Sequence, residues 1–418
     1  MEIKRERYMN QLISHMHNGL IKVVTGIRRS GKTYLLFRLF YNYLLKSGVA
    51  SDHIIRLSLD DISNKKYRDA IALYEFIKSS IKDNDMHYVL IDEVQMANEF
   101  EDALNGLLHI DNVDTFVTGS NARFLSKDII TEFRGRGDDI HIAPLSFAEF
   151  MTAYDGSRED GWREYMIFGG LPKIFEFKTA DEKSRYLKGL LTETYLVDIK
   201  NRNRVKKEDE LSDVLDVVAS SIGSLTNPRK IADTFKSVKH ASIAPTTVQK
   251  YISHMEDAFL IEEAKRYDIK GRKYIGSLKK YYFSDMGLRN ARLNFRQIEE
   301  THLMENIIYN ELRSRCENVD IGIVTLNKKD ASGKSIRTPL EIDFVCNNIS
   351  NRYYIQSALH LPTDEKKRQE ARPLMHVNDS FKKIIISKDA VATFYNDDGI
   401  LVMNLFDFLM NPNSLESV

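Results

Sequence analysis

Cysteine is nearly missing from this sequence, whose 418 residues hold only Cys316 and Cys346. Two thiols cannot build a disulfide framework, and such sparing use fits a reducing compartment. Charge of one sign is missing too, because 60 Lys and Arg meet 60 Asp and Glu. That excludes a globally basic nucleic-acid binder, so any such surface has to be a local patch. No run of about 18 apolar residues occurs, which excludes a helical membrane span. The opening MEIKRERYMNQLISHMHNG holds no apolar core for a signal peptide. The expectation is a cytoplasmic protein with no membrane partner. Neither an internal repeat nor a low-complexity linker interrupts the chain. What remains is a globular composition, 43% hydrophobic and 29% charged, in a chain long enough for about two to four domains.

Up to about residue 145, short apolar runs alternate with longer helical stretches. Ile21–Thr25, His53–Leu59, Tyr88–Asp92, Thr115–Thr118 and Asp139–Ala143 read as strands, with helices such as Tyr34–Lys46 and Ala70–Lys82 between them. This alternation predicts a parallel sheet covered by helices. A helical stretch follows, broken at Gly169-Gly170-Leu171-Pro172. Three helices and two strands come next, and the chain ends in mixed helix and strand.

Gly26-Ile27-Arg28-Arg29-Ser30-Gly31-Lys32-Thr33 fits the spacing G-x-x-x-x-G-K-S/T, between a strand and a helix. Glycine lets backbone N–H groups curl round phosphates, and the helix start adds its positive dipole end. Gly26, Arg29, Ser30, Gly31, Lys32, Thr33 and Tyr34 are the expected contacts to ATP. Lys32 is aimed at the β and γ phosphates, and the Thr33 hydroxyl at Mg²⁺. Tyr88-Val89-Leu90-Ile91-Asp92-Glu93 is an apolar strand ending in two acids. Asp92 is the carboxylate expected to hold Mg²⁺ from just outside its first coordination sphere, and Glu93 the base that orients or deprotonates the attacking water.

The strand Thr115–Thr118 runs into Gly119-Ser120-Asn121. Ser120 and Asn121 are candidates for touching the γ-phosphate or the water; alternatively Asn121 caps the next helix. In Phe133-Arg134-Gly135-Arg136-Gly137, flanking glycine lets an arginine stand out from the backbone. Arg136, ahead of Arg134, is the candidate to complete a neighbouring subunit's site. The alternative is a pair of solvated surface arginines.

These motifs resemble those of a family of bacterial and archaeal AAA-type ATPases with a C-terminal domain related to restriction-endonuclease folds. The likeness is carried by Gly26–Thr33, Ile91-Asp92-Glu93-Val94-Gln95, Thr118–Asn121 and Phe133–Arg136. Pro144-Leu145-Ser146-Phe147, Gly169–Pro172 and Glu341-Ile342-Asp343-Phe344-Val345 add to it. The resemblance spans nearly the whole chain and implies an ATPase fold with the catalytic Glu next to the magnesium Asp.

In the middle of the chain, Asn227 caps and Pro228 opens one helix, and Pro245 opens a second. Val248, Tyr251, Ile252 and Met255 give the second helix its apolar face. Thr246, Thr247, Gln249 and Lys250 point outward at its start, where a recognition helix places its reading residues. Strands Leu260–Lys265 and Lys280–Phe283 would pair as a wing. Residues 265–296 hold ten basic side chains against Asp268 and Asp285, interleaved with tyrosines. Lys270, Arg272 and Lys273 are the candidate phosphate contacts. The alternative is a winged helix that docks a protein or covers a nucleotide.

Near the C-terminus, Glu341 and Asp343 lie two apart on one strand face, with Ile342 and Phe344 expected on the other. With Glu305 upstream and Gln356 on the next strand, the arrangement resembles a restriction-endonuclease core. Ala358 stands where that core carries its lysine, so the reading is a degenerate site that does not cut DNA. Lys366 and Lys367 could replace the lysine only by folding back.

The expected fold class is α/β. It comprises a P-loop core at 1–146, a helical lid at 147–204, a winged helix at 205–285 and an inactive endonuclease-like domain at 286–418. The expected activity is Mg²⁺-dependent ATP hydrolysis coupled to DNA binding or remodelling by a homo-oligomer. A slow signalling switch with a protein partner is the alternative, and an active nuclease the third.

Overall fold

In the computed structural model, which describes residues 2–120, 135–238, 241–329, 335–349 and 351–416, the chain divides into two compact units. The first holds residues 1–145, with 171–173 and 257–259; the second holds the remainder.

Five strand-length runs of the first unit form one parallel sheet. Its strands are β1 (Ile21–Thr25), β2 (Ile54–Ser58), β3 (His87–Asp92), β4 (Val113–Thr118) and β5 (Gly137–His141), in the order β2-β3-β4-β1-β5. Side chains alternate across the pleat, so each strand serves two cores. Val89, Ile91 and Val117 pack with Leu73, Ile77 and Leu104 from the helices Ala70–Ser80 and Phe100–Leu107. On the other face, Tyr88, Leu90 and Phe116 meet Leu12, Leu36 and Phe40. Both faces are covered, which is why these strands read as continuous apolar runs. β4 lies between β1 and β3, so the ends of three strands converge on one edge.

The second unit contains an eight-stranded mixed sheet. Its strands are β6 (Ile261–Asp268), β7 (Lys273–Phe283), β8 (Asn318–Lys329), β9 (Ser335–Asn347), β10 (Arg352–Ala358), β11 (Lys382–Ser387), β12 (Phe394–Tyr395) and β13 (Leu401–Asn404). The order is β12-β13-β11-β10-β9-β8-β6-β7. The two strands expected as a wing do pair antiparallel, but β6 also pairs in parallel with β8 through Arg266–Asp268. The hairpin thus extends the C-terminal sheet, a join that local alternation does not reveal. The helix Glu300–Arg315 packs on β7, β8 and β10, and the helix Asp364–Met375 on β9, β10 and β11. Among the described residues no helix is long and apolar enough to cross a membrane.

Candidate functional site

Gly26 leaves β1 at φ 140°, pressed so close to the β5 side that a Cβ would lie 2.2 Å from the Ile142 carbonyl oxygen. Only glycine fits there. The loop then turns through Arg29 at φ 65° and Gly31 at φ 99° into a helix opening at Lys32. Lys32 is buried, and its Nζ donates to the loop's own carbonyls, Gly26 O at 2.9 Å and Ile27 O at 3.1 Å. Burial pushes its pKa down to about 8, against the opposing pull of Glu93 and Asp92. Ser30 is also buried, and its Oγ has no partner among the described residues. A curled loop with an enclosed ammonium and an unpaired hydroxyl is suited to an anion. Arg29 is exposed and Tyr34 half-buried, at either end of the loop.

The end of β3 faces that loop. Thr33 Oγ1 donates to Asp92 Oδ2 at 2.9 Å, and Thr118 Oγ1 donates to Asp92 Oδ1. Burial raises the Asp92 carboxyl above its ordinary range, only partly offset by these two hydroxyls. A buried carboxylate whose hydrogen-bond partners are hydroxyls, with a threonine oxygen beside it, fits a divalent cation. Glu93 follows at φ 53°; its N–H donates to Thr118 Oγ1 at 3.0 Å, and Ser120 Oγ donates to Glu93 Oε2 at 3.2 Å. Lys32, Thr33, Asp92, Glu93 and Ser120 are thus brought together. Asn121 and Arg134 lie outside the described residues. Arg136 is exposed and immediately precedes β5, whose first residue pairs with Ile21 at the start of β1. Five residues at ~3.3 Å each place it on the order of 16 Å from the P-loop, out of reach of its own site.

The second unit carries a separate charged cluster. Glu305 projects from the helix Glu300–Arg315, and Glu341 and Asp343 from β9. A lysine enters this cluster from β7: Lys280 Nζ lies 2.8 Å from Glu305 Oε1, 2.8 Å from Glu341 Oε1 and 3.8 Å from Asp343 Oδ1. Tyr282 Oη donates to Glu305 Oε1 at 2.6 Å. The Ser357 N–H donates to Asp343 Oδ2 at 2.8 Å. Gln356 Oε1 accepts from the Asp343 N–H only at a long 3.4 Å. Burial disfavours the Lys280 charge, but Glu305, Asp343 and Glu341 outweigh it and hold the ammonium above the ordinary lysine value. Burial and Glu305 push Asp343 up to about 8 despite the ammonium.

Ala358 is packed with Ile342, Val345, Tyr354 and Leu374. Lys366 and Lys367 pair with Glu370 and Asp364 on their own helix. The expectation that Ile342 and Phe344 share a face is corrected. The β8–β9 register slips between Asp320 and Gly322, leaving Ile342 in the Leu374 cluster while the Phe344 ring approaches Tyr282 and Tyr309. A bulge breaks the alternation there.

One prediction arises from Asp343. Its folded pKa is raised, so the folded state binds more protons than the unfolded state from about pH 4 to about 8. Its contribution is therefore stabilising below that window and is lost as pH rises through it. Asp343→Asn should flatten the fall in stability over that range relative to wild type in denaturant titrations. An unchanged slope would mean that Asp343 ionises normally.

Residues 18–151 match the family of an AAA domain, and residues 159–299 match a domain of unknown function (DUF8612). A Haemophilus influenzae protein described as uncharacterized is 33% identical over 419 residues, covering 98% of this chain and 98% of its own length. This chain belongs to the same family. An uncharacterized protein of Methanocaldococcus jannaschii is 25% identical over 367 residues, covering 84% of this chain and 77% of the other. AMPPCP-bound DnaA from Aquifex aeolicus is 18% identical, covering 61% of this chain and 88% of that one, with a TM-score of 0.31. A likeness that weak carries no argument here. The AAA domain of this family member lies in the first unit and has the parallel five-stranded sheet of a P-loop nucleoside triphosphatase.

In the second unit, the helices Pro228–Val238 and Pro245–Asp257 precede the β6–β7 hairpin. Thr226 exchanges two backbone hydrogen bonds with Lys279 of β7, at 2.8 and 2.9 Å. Thr246 and Lys250 are exposed, Thr247 and Gln249 half-buried, and Lys270, Arg272 and Lys273 exposed at the hairpin tip. Other basic residues of 265–296 are occupied within the fold. Lys280 is in the acid cluster, Lys279 pairs with Glu263, Arg292 with Asp216, and buried Arg289 donates to the Ala219 carbonyl. The basic surface is smaller than the residue count implies. Sequence reasoning also missed Thr118 as a partner of Asp92; a threonine ending an apolar strand was the available signal.

Proposed function

We propose that this chain is a Mg²⁺-dependent ATP hydrolase that couples turnover to DNA binding or remodelling, and that it acts as a homo-oligomer. The observation that carries the reading is the convergence of Lys32, Thr33, Asp92 and Glu93 at one edge of the sheet. Thr33 and Asp92 would hold Mg²⁺, which when bound neutralises charge on the phosphate oxygens. Loop N–H groups and Lys32 bind and orient the triphosphate, and Glu93 takes a proton from the attacking water. Phosphate release from ATP, compared with and without Mg²⁺ and with and without DNA, tests this reading. No release under any condition would refute it.

The oligomer rests on Arg136. Its exposure and its distance from its own P-loop support a role in a neighbour's site. Turnover per chain should rise with protein concentration. An inactive Arg136→Ala chain should be partly rescued by mixing with Glu93→Gln chains, each carrying what the other lacks. Concentration-independent turnover without rescue would leave Arg136 a surface residue.

The Thr226–Lys279 pairing, which ties the helix pair to the hairpin, supports a winged-helix reading. Exposed Thr246 and Lys250 and half-buried Thr247 and Gln249 would read bases, and the tip would contact phosphates. Charge reversal at Lys270, Arg272 and Lys273 should weaken DNA binding and reduce its logarithmic salt slope by roughly 2–3. Basal ATPase activity should be retained. Equal affinity and slope in gel shifts over a salt series would make the tip a solvated hairpin. The second reading, a slow signalling switch whose helix pair docks a protein, is favoured by the internal pairing of Lys279, Lys280 and Arg292. A chain that hydrolyses ATP but binds no DNA even at low salt would select it.

A further inference from the structure

Glu93 is held by one oxygen only. The short 3-10 turn Val94–Met96 returns the chain so tightly that Gln95 Nε2 donates to Glu93 Oε2. Ser120 Oγ donates to the same oxygen from the end of β4. Among the described residues no donor reaches Glu93 Oε1, so one half of the carboxylate is fixed and the other is open. An ionised carboxylate only accepts, which fixes the Gln95 amide with its NH₂ toward Glu93 and its carbonyl away. That carbonyl, Gln95 Oε1, is buried and has no partner among the described residues.

We propose that Gln95 is a positioning residue of the ATPase site, one that aims the base Glu93 by holding its Oε2, an assignment that rests on the hydrolase reading above. Gln95 and Ser120 hold Glu93 Oε2, so the open Oε1 is the acceptor for an O–H of the attacking water, leaving a lone pair of the water oxygen free for attack. The water oxygen bonds to the γ-phosphorus as the bond from that phosphorus to the bridging oxygen breaks. The electron pair leaves with ADP and the proton passes to Glu93. Gln95 itself is unchanged; it sets direction and stabilises the base in place.

The test is Gln95→Leu beside Glu93→Gln, with Gln95→Met as a near-isosteric second variant should the leucine chain not fold. Gln95→Leu should lower kcat on the order of 100-fold. Affinity for a fluorescent, non-hydrolysable ATP analogue should stay within about twofold of wild type. Affinity for ADP with aluminium fluoride, which mimics the transferring phosphoryl group, should fall in parallel with kcat. Wild-type turnover in both Gln95 variants beside a dead Glu93→Gln overturns this assignment alone. Equal loss of analogue and aluminium fluoride binding overturns it too, by making Gln95 a structural support of the loop. Full turnover in Glu93→Gln overturns the hydrolase reading and this assignment together.

Discussion

Glu93→Gln is expected to bind ATP as wild type does and to release phosphate on the order of 10²–10⁴ times more slowly. The amide keeps the size and position of the carboxylate but cannot accept the water's proton. Glu93 makes no hydrogen bond to the P-loop itself, so ground-state binding has little reason to change. Lys32→Ala should behave the opposite way. Its ammonium is enclosed by the loop and aimed at the phosphates before any chemistry begins. Losing a charged hydrogen-bond donor of this kind costs ~1.5–3 kcal/mol, or roughly 10- to 150-fold in affinity. The contrast is the informative result, since an interaction present in the ground state changes binding and one made only in the transition state changes rate. Nucleotide titrations and phosphate release on the two variants provide the check. Wild-type turnover in Glu93→Gln would remove Glu93 from the chemistry.

Lys280→Met is expected to destabilise the second unit by ~3–5 kcal/mol, because among the described residues it removes the cation paired with a largely buried group of carboxylates. Side-chain exposure is 3% for Lys280, 11% for Glu305 and 12% for Asp343, so water cannot readily take the ammonium's place. Asp343, pushed up to about 8, already favours its protonated form at neutral pH. Glu305 and Glu341 would be left to repel each other or to protonate. Adding Glu305→Gln to Lys280→Met should recover part of the loss, the signature of a coupled pair. Denaturant melts of the single and double variants test this. A single variant within about 1 kcal/mol of wild type would mean that water screens the cluster.

The same ammonium governs the expectation for nucleic-acid cleavage. Lys280 occupies the point on which the carboxylates converge. Duplex, single-stranded and branched DNA should therefore remain uncut in Mg²⁺ or Mn²⁺. Cleavage that disappears in Asp343→Ala would instead make Lys280 the activating lysine of a live site, delivered by a strand where the motif does not look for it.

Local order in the chain determined the nucleotide site. Gly26–Thr33 sits in one turn between a strand and a helix, and Asp92-Glu93 closes a single apolar strand, so each motif carries its own structural context. The five strands of the first unit were legible for the same reason, because short strand-length runs alternating with helical stretches are a property of neighbouring residues. Tertiary pairing decided the rest. Lys280 reaches Glu341 and Asp343 because β7, β6, β8 and β9 lie side by side and the helix bearing Glu305 packs across them. No spacing in the sequence encodes that neighbourhood. The bulge that parts Ile342 from Phe344 depends on the register against β8. The charge count of 265–296 was read correctly, but the removal of Lys279, Lys280, Arg289 and Arg292 from the surface came from partners elsewhere in the chain. A residue's type fixes the interactions it can make; in this chain, long-range strand and helix packing fixed which of them Lys280 and its neighbours do make.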